Sequence, residues 1–303
     1  MLPHRPGMAR DAPWSVPSGA MTTRVGIIGS GIMGSGIAEV ASRAGYEVIL
    51  RSRKQESADA TLAKMDSNLK RAVDKGRLSE EDHAAILGRV TATADLSAVA
   101  DCDLVIESVV EDLATKSALF TELDQVCGPD TILATNTSTL AVTELAVATG
   151  RPDKVCGIHF FNPATAMKLV EIVTPMTASD ETIEAAVAFA TKCGKDPVKV
   201  ADRAGFIVNH LLFPYLNNAV RMLENGTASR EHIDQAMMGG CNFPMGPLAL
   251  LDLVGLDTSV AILDALYDEF GDHHYRVVPL LRRMVTAGYL GRKSGQGFYD
   301  YSK

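Results

Sequence analysis

Residues 24–36 read Arg24-Val25-Gly26-Ile27-Ile28-Gly29-Ser30-Gly31-Ile32-Met33-Gly34-Ser35-Gly36. The stretch opens as a short run rich in apolar and β-branched residues, the pattern of a strand. From Ile32 to Ala44 the apolar positions recur at helical spacing. Between the two, Gly29, Ser30, Gly31, Ile32, Met33 and Gly34 spell G-x-G-x-x-G. In a strand–turn–helix setting the first glycine permits a tight turn and the second lets backbone approach a pyrophosphate. The third lets the helix lie close to the strand. Phosphates then meet free N–H groups at a helix N-terminus, where the dipole favours anions. That setting separates this turn from a glycine-rich loop that binds nothing, and makes all six positions candidate dinucleotide contacts.

Outward from this unit, strand and helix alternate. Glu47-Val48-Ile49-Leu50, Asp103-Leu104-Val105-Ile106-Glu107, Thr131-Ile132-Leu133-Ala134, Val155-Cys156-Gly157-Ile158-His159 and Leu169-Val170-Glu171-Ile172-Val173 are strand candidates. Helical stretches fall at about 56–76, 79–88, 113–126 and up to Leu145. This alternation predicts an α/β fold with a Rossmann-type, doubly wound, mostly parallel sheet. The last two strands are joined by too few residues for a parallel crossover and are candidates for antiparallel pairing. From Gly205 the pattern is all-helical, over about 205–224, 229–238, 247–254, 257–270 and 277–287. Asn225-Gly226 is a helix stop, and Ser229 and Asp257 are candidate N-caps. The chain thus divides into a leader (1–22), a dinucleotide-binding domain (23–204) and an all-helical C-terminal domain for dimerisation and substrate (205–303). The leader is rich in Pro, Ala and Gly, lacks an apolar signal core, and reads as disordered.

A chain of 303 residues suits two domains with cores of their own. Its net charge of −8 argues against nucleic-acid binding, which depends on neutralising phosphates. No apolar run approaches the length of a membrane span. Cys102, Cys127, Cys156, Cys193 and Cys241 are odd in number and contain no C-x-x-C. They read as reduced, buried thiols of a cytoplasmic protein, with no metal site.

The end of the second strand reads Leu50-Arg51-Ser52-Arg53-Lys54. An NAD-binding unit expects an acid there to accept from the ribose 2′-hydroxyl. Here the acid is missing and Arg51, Ser52 and Arg53 suit a 2′-phosphate, since guanidinium groups pair well with phosphate. The reading favours NADP over NAD, against the alternative of a solvated basic turn.

Four polar residues stand where polar groups are costly. Ser138 follows a strand, His159 ends one, Glu171 lies inside the apolar run 169–173, and Asn209 shares a helical face with Phe206, Leu212 and Phe213. A neutral His159 can take the proton of a secondary alcohol while a hydride leaves for the nicotinamide. Glu171 would orient the ring, and Ser138 and Asn209 could donate to the carbonyl oxygen. Singly, Ser138 reads as a helix cap, His159 as a satisfied core histidine and Asn209 as an interhelical hydrogen bond. Glu171 is the hardest to explain structurally.

Gly29–Gly36, Val109–Lys116, Asn136-Thr137-Ser138, His159-Phe160-Phe161-Asn162-Pro163, Met167–Glu171, Gly205–Asn209, Pro244–Pro247 and Gly291–Tyr299 together resemble the L-3-hydroxyacyl-CoA dehydrogenases, above all the short, single-function 3-hydroxybutyryl-CoA type. The resemblance runs in order from about residue 23 to 303. It implies a homodimer that interconverts (S)-3-hydroxybutyryl-CoA and acetoacetyl-CoA, with an acyl-CoA as substrate. The family's acid/base pair falls on His159 and Glu171, and its substrate-contacting Ser and Asn on Ser138 and Asn209. Its cofactor contacts fall on Glu111, Lys116, Asn162 and Lys293, beside Ser138 and the glycine turn. The family places an aspartate where Ser52 stands, which bears on the choice between NAD and NADP and leaves the reaction untouched. The rival readings are a dehydrogenase of free hydroxyacids or sugar acids, a class that uses a catalytic lysine, and a non-catalytic nucleotide-binding protein on the same fold.

Overall fold

The computed structural model describes residues 23–302; the expected disordered leader, 1–22, lies outside the described residues. Strand and helix alternate as β1 (Arg24–Ile28), α1 (Ile32–Arg43), β2 (Glu47–Arg51), α2 (Gln55–Asp74), α3 (Glu80–Gly88), β3 (Val90–Thr93), β4 (Leu104–Glu107), α4 (Leu113–Val126), β5 (Ile132–Thr135), α5 (Val142–Ala146), β6 (Val155–Phe160), β7 (Leu169–Thr174), α6 (Asp180–Lys192) and β8 (Asp196–Ala201). They build one sheet in the order β3-β2-β1-β4-β5-β6-β7-β8. The first six strands are parallel, as a doubly wound fold requires. β7 runs antiparallel to β6, and β8 parallel to β7.

The strands in the interior of the sheet bury both faces. In β1, Val25 and Ile27 enter the core under α1, α2, α3 and α6, while Ile28 enters the core under α4 and α5. Two strands, β3 and β8, escape the sequence reading, and both are sheet edges. An edge strand pairs on one side only and needs no long apolar run. β3 is Val90-Thr91-Ala92-Thr93, and β8 contains Pro197, which an edge tolerates.

The remainder comprises α7 (Val208–Glu224), α8 (Arg230–Cys241), α9 (Pro247–Val254), α10 (Leu256–Phe270) and α11 (Pro279–Thr286) around a separate core. Three local expectations are corrected. The first helix begins at Val208 and not at Gly205, because Gly205 and Phe206 take positive φ (72° and 48°). Asp257 is no N-cap: Gly255 precedes α10 and Asp257 lies in its first turn. Of the five free cysteines, Cys102, Cys127 and Cys156 are buried but Cys241 is exposed. Ser229 does cap α8, accepting from His232 N–H at 3.3 Å. The C-terminal segment is tied back by Asp252, which accepts from Phe298 and Tyr299 N–H at 2.8 and 2.9 Å. Among the described residues no helix is long and apolar enough to cross a membrane.

The β6–β7 pairing depends on Gly157, whose register partner is Val173. A Cβ at Gly157 would lie 2.6 Å from the Val173 Cβ and 3.3 Å from a Val142 methyl. Gly157→Ala is expected to destabilise the protein by about 1 to 3 kcal/mol through overpacking, read as a lower urea midpoint.

Candidate active site

A cavity of about 1500 Å³ opens at the carboxyl ends of the central strands, where ligands of doubly wound sheets bind. Its walls come from Gly29–Met33, Arg51–Lys54, Ser108–Glu111, the Asn136–Thr139 turn and the start of α10. The glycine turn accounts for its floor. Gly29 has φ of +118°, and a Cβ there would strike the Ser108 carbonyl. A Cβ at Gly34 would strike the Gly29 carbonyl, so Gly34 serves the packing of α1 on the turn and does not line the cavity. Gly31 would meet nothing, and no side chain caps α1. Backbone N–H groups are left facing open space, which fits a pyrophosphate.

At the end of β2, Ser52 is buried and its Oγ lies 2.8 Å from Ser30 Oγ. Arg51 Nε donates to the Ala94 carbonyl at 3.3 Å, and Arg53 and Lys54 are exposed at the rim. Asp95 is nearby, but its side chain is committed to Ser97. Those hydrogen bonds, and more weakly the Arg51 charge, hold its carboxyl below the usual range against desolvation.

At the Ser138 side of the cavity the four candidate polar residues converge. His159 and Glu171 are direct cross-strand partners in β6 and β7. His159 Nδ1 lies 2.8 Å from Glu171 Oε2, and both residues are buried. The other oxygen, Glu171 Oε1, accepts from the N–H groups of Ile207 and Val208 at 3.0 Å each. A carboxylate there sits at the N-terminus of α7, where the helix dipole favours it. With Glu171 accepting at Nδ1, the neutral ring carries its proton there and leaves a lone pair on Nε2. Nε2 faces Ser138 Oγ at 3.2 Å, and Asn209 Nδ2 donates to the Ser138 carbonyl at 3.4 Å. The rings of Phe161 and Phe206 pack on the imidazole, with centroids at 4.6 and 5.4 Å. Phe206 is therefore not on the helical face of Asn209. Its left-handed backbone, disfavoured for a bulky residue, turns its ring onto His159.

Among the other expected cofactor contacts, Ser30, Ile32, Met33, Arg51, Ser52, Arg53, Glu111 and Ser138 line the cavity with Gly29 and Gly31. Lys293 is half-exposed and pairs with Asp257, itself a wall residue, at 2.5 Å. Asn162 is exposed just after β6 and lies outside the wall. Lys116 is buried behind the wall, 2.6 Å from Glu107 and 3.2 Å from Glu111. Sequence reasoning quoted Asn136 in a motif but gave it no role; its Oδ1 accepts from Phe160 N–H at 2.8 Å and ties the Ser138 turn to β6. The same reasoning missed Glu107, an acid ending an apolar strand, which the rule that singled out Glu171 would have found.

A base held by a buried acid, beside hydroxyl and amide donors and a dinucleotide-sized cavity, suits proton transfer at an alcohol coupled to hydride transfer. Comparison with known proteins points the same way. The model for the 3-hydroxyacyl-CoA dehydrogenase NAD binding domain matches residues 24–203, and that for its C-terminal domain matches 205–301. A 3-hydroxybutyryl-CoA dehydrogenase of Clostridioides difficile is 48% identical over 280 residues, covering 92% of this chain and 100% of that protein. The mitochondrial hydroxyacyl-coenzyme A dehydrogenase of Sus scrofa is 42% identical, covering 93% and 92%. The crystal structure of (S)-3-hydroxybutyryl-CoA dehydrogenase PaaH1 from Ralstonia eutropha superposes with a TM-score of 0.91 at 41% identity, covering 93% and 100%.

Glu171→Ala would orphan His159 and two backbone N–H groups at once. It is expected to cost about 3 to 5 kcal/mol of stability, the range for breaking a buried pair. Glu171→Gln, whose amide can still accept from α7, is expected to lose less than half of that. Urea unfolding of both variants measures the difference.

Proposed function

The chain belongs to the 3-hydroxyacyl-CoA dehydrogenase family, and from that premise we propose that it interconverts (S)-3-hydroxybutyryl-CoA, or another short 3-hydroxyacyl-CoA, and acetoacetyl-CoA. It is an oxidoreductase that uses a nicotinamide cofactor. The observation that carries the proposal is the set of contacts around His159, with Glu171 at Nδ1 and Ser138 at Nε2. In the oxidative direction His159 Nε2 accepts the proton of the 3-hydroxyl. The imidazolium that forms is stabilised by the Glu171 carboxylate, held between His159 and the α7 N–H groups. Ser138 and Asn209 donate to the substrate oxygen as it becomes a carbonyl. In reduction the same nitrogen returns the proton. The nicotinamide supplies the hydride acceptor or donor at C3. Phe161 and Phe206 shield the ring from water and so strengthen these contacts.

For the cofactor, NADP is favoured. Ser52 replaces the acid that would repel a 2′-phosphate, and Arg51 and Arg53 flank it at the cavity. The proposed units are a dinucleotide-binding domain over 23–204 and a helical domain over 205–303. The helical part exposes Leu211, Met222, Met238, Phe243 and Leu253, apolar side chains that a second copy could cover, which supports a homodimer. Unpaired cysteines support a cytoplasmic protein.

Purified protein is mixed with acetoacetyl-CoA and either NADPH or NADH, and loss of the reduced nicotinamide is followed. Turnover is expected with both, with higher kcat/KM for NADPH. Ser52→Asp is expected to shift that ratio toward NADH by about tenfold or more, the scale of a charge-assisted hydrogen bond. A preference for NADH in the unchanged protein would remove the NADP reading and keep the reaction. Absence of turnover with either cofactor would reject the thioester substrate. His159→Gln is expected to lower kcat by about 10² to 10⁴, the contribution of a general base, with little change in unfolding midpoint.

A further inference from the structure

Behind the cavity wall lies a second buried acid. Glu107 ends β4 beside Ile28 of β1 and Thr135 of β5, at the switch point of the sheet. It is fully buried, and its carboxylate accepts three hydrogen bonds. Oε1 accepts from Lys116 Nζ at 2.6 Å and from Val109 N–H at 2.5 Å, and Oε2 accepts from the Thr135 hydroxyl at 2.7 Å. Lys116 is equally buried, and its other partner is Glu111 Oε2 at 3.2 Å. The remaining oxygen of Glu111 accepts from Ser138 N–H at 2.9 Å and from the Thr137 hydroxyl at 2.5 Å. Ser138 in turn faces His159.

We propose that Glu107, which lines neither the cavity nor the His159 site, is a positioning residue for both. Acting through Lys116, it sets the Glu111 carboxylate and the 135–139 turn that carries Ser138. The inference rests on the assignment of the cavity to the nicotinamide cofactor. Its basis is a charge count. Lys116 stands between two carboxylates, so the trio carries a net charge of −1. Glu107 is sealed away from the cavity, whereas Glu111 is the member that reaches it. With the Glu107 carboxylate in place, Lys116 is shared and Glu111 keeps an acceptor face for the cofactor. With a glutamine at 107, the lysine pairs with Glu111 alone and draws it from Ser138 N–H, across a gap already 3.2 Å wide. Burial works against the Glu111 carboxylate, yet the Lys116 charge with the Thr137 and Ser138 hydrogen bonds outweighs it and holds its carboxyl below the usual range. Stability alone does not account for the pair, because an apolar pair of similar volume commonly does as well.

The test is a double-mutant cycle of Glu107→Gln and Lys116→Met. Kd for reduced nicotinamide cofactor is read by its fluorescence, kcat by acetoacetyl-CoA reduction, and the folded fraction by urea unfolding. Glu107→Gln is expected to raise Kd and to lower kcat by about tenfold each, the scale of a sub-ångström misplacement of a reacting group. In the Lys116→Met background the same change is expected to move either value by less than about threefold, because the route to Glu111 is gone and a glutamine can still pair with Val109 N–H and the Thr135 hydroxyl. Equal factors in both backgrounds would overturn the proposal, as would unchanged Kd and kcat per folded molecule in Glu107→Gln. Should Glu107→Gln fail to fold, the apolar pair Glu107→Leu/Lys116→Leu replaces it. That pair is expected to fold and to bind the cofactor at least about tenfold more weakly, and wild-type affinity in it would overturn the proposal. Failure of the unaltered protein to bind reduced nicotinamide would bring down the cofactor assignment instead.

Discussion

One carboxylate joins the sheet to the helical part of the molecule and sets the geometry of the site between them. Glu171 gives one oxygen to His159 and the other to the first N–H groups of α7. A buried acid is costly unless every lone pair is engaged, and here the base and the helix terminus engage it together. The position of α7, and with it Asn209, is thereby coupled to the orientation of the imidazole. The tautomer of His159 follows from the same bond, because an acceptor at Nδ1 leaves the lone pair on Nε2.

The cavity side is organised by the same physics in a second place. Glu107 and Lys116 form a buried ion pair whose remaining contacts reach Val109, Thr135 and Glu111. Glu111 carries the connection to Ser138. A continuous line of polar contacts thus runs from the switch point of the sheet, through Ser138 and His159, to the N-terminus of α7. Low local dielectric strengthens each link and makes each orphaned partner expensive. Ser138 is the member common to the cavity wall and the imidazole, so it is where a bound dinucleotide and the base would meet.

Much of this was legible residue by residue. The glycine turn, the six interior strands and the helical second half announce themselves through local periodicity, since an interior strand must be apolar on both faces. Glu171 was legible because an acid inside an apolar run has few innocent explanations. The basic turn at Arg51–Arg53 was visible as a departure from an expected acid. The edge strands β3 and β8 were not visible, because half of an edge strand's surroundings is solvent and its sequence is free to look like a loop. Phe206 was misread as part of a helical face because nothing local shows that its φ is positive.

Composition and periodicity determined which residues this protein has for its chemistry: a dinucleotide turn, a histidine, a serine, an asparagine and an acid, in an α/β frame followed by helices. Those signals are short-range, set by side-chain spacing along the chain and by the cost of burying a polar atom. The tertiary structure alone decided who meets whom. The antiparallel register of β6 and β7 puts Glu171 opposite His159. The fold back of residues 205–208 brings two N–H groups to the same carboxylate. Burial of α4 against the sheet turns Lys116 away from the cavity and onto Glu107. Each of these contacts spans strands or segments that the sequence does not order relative to one another. Each also depends on the collective exclusion of water, which no window of sequence contains.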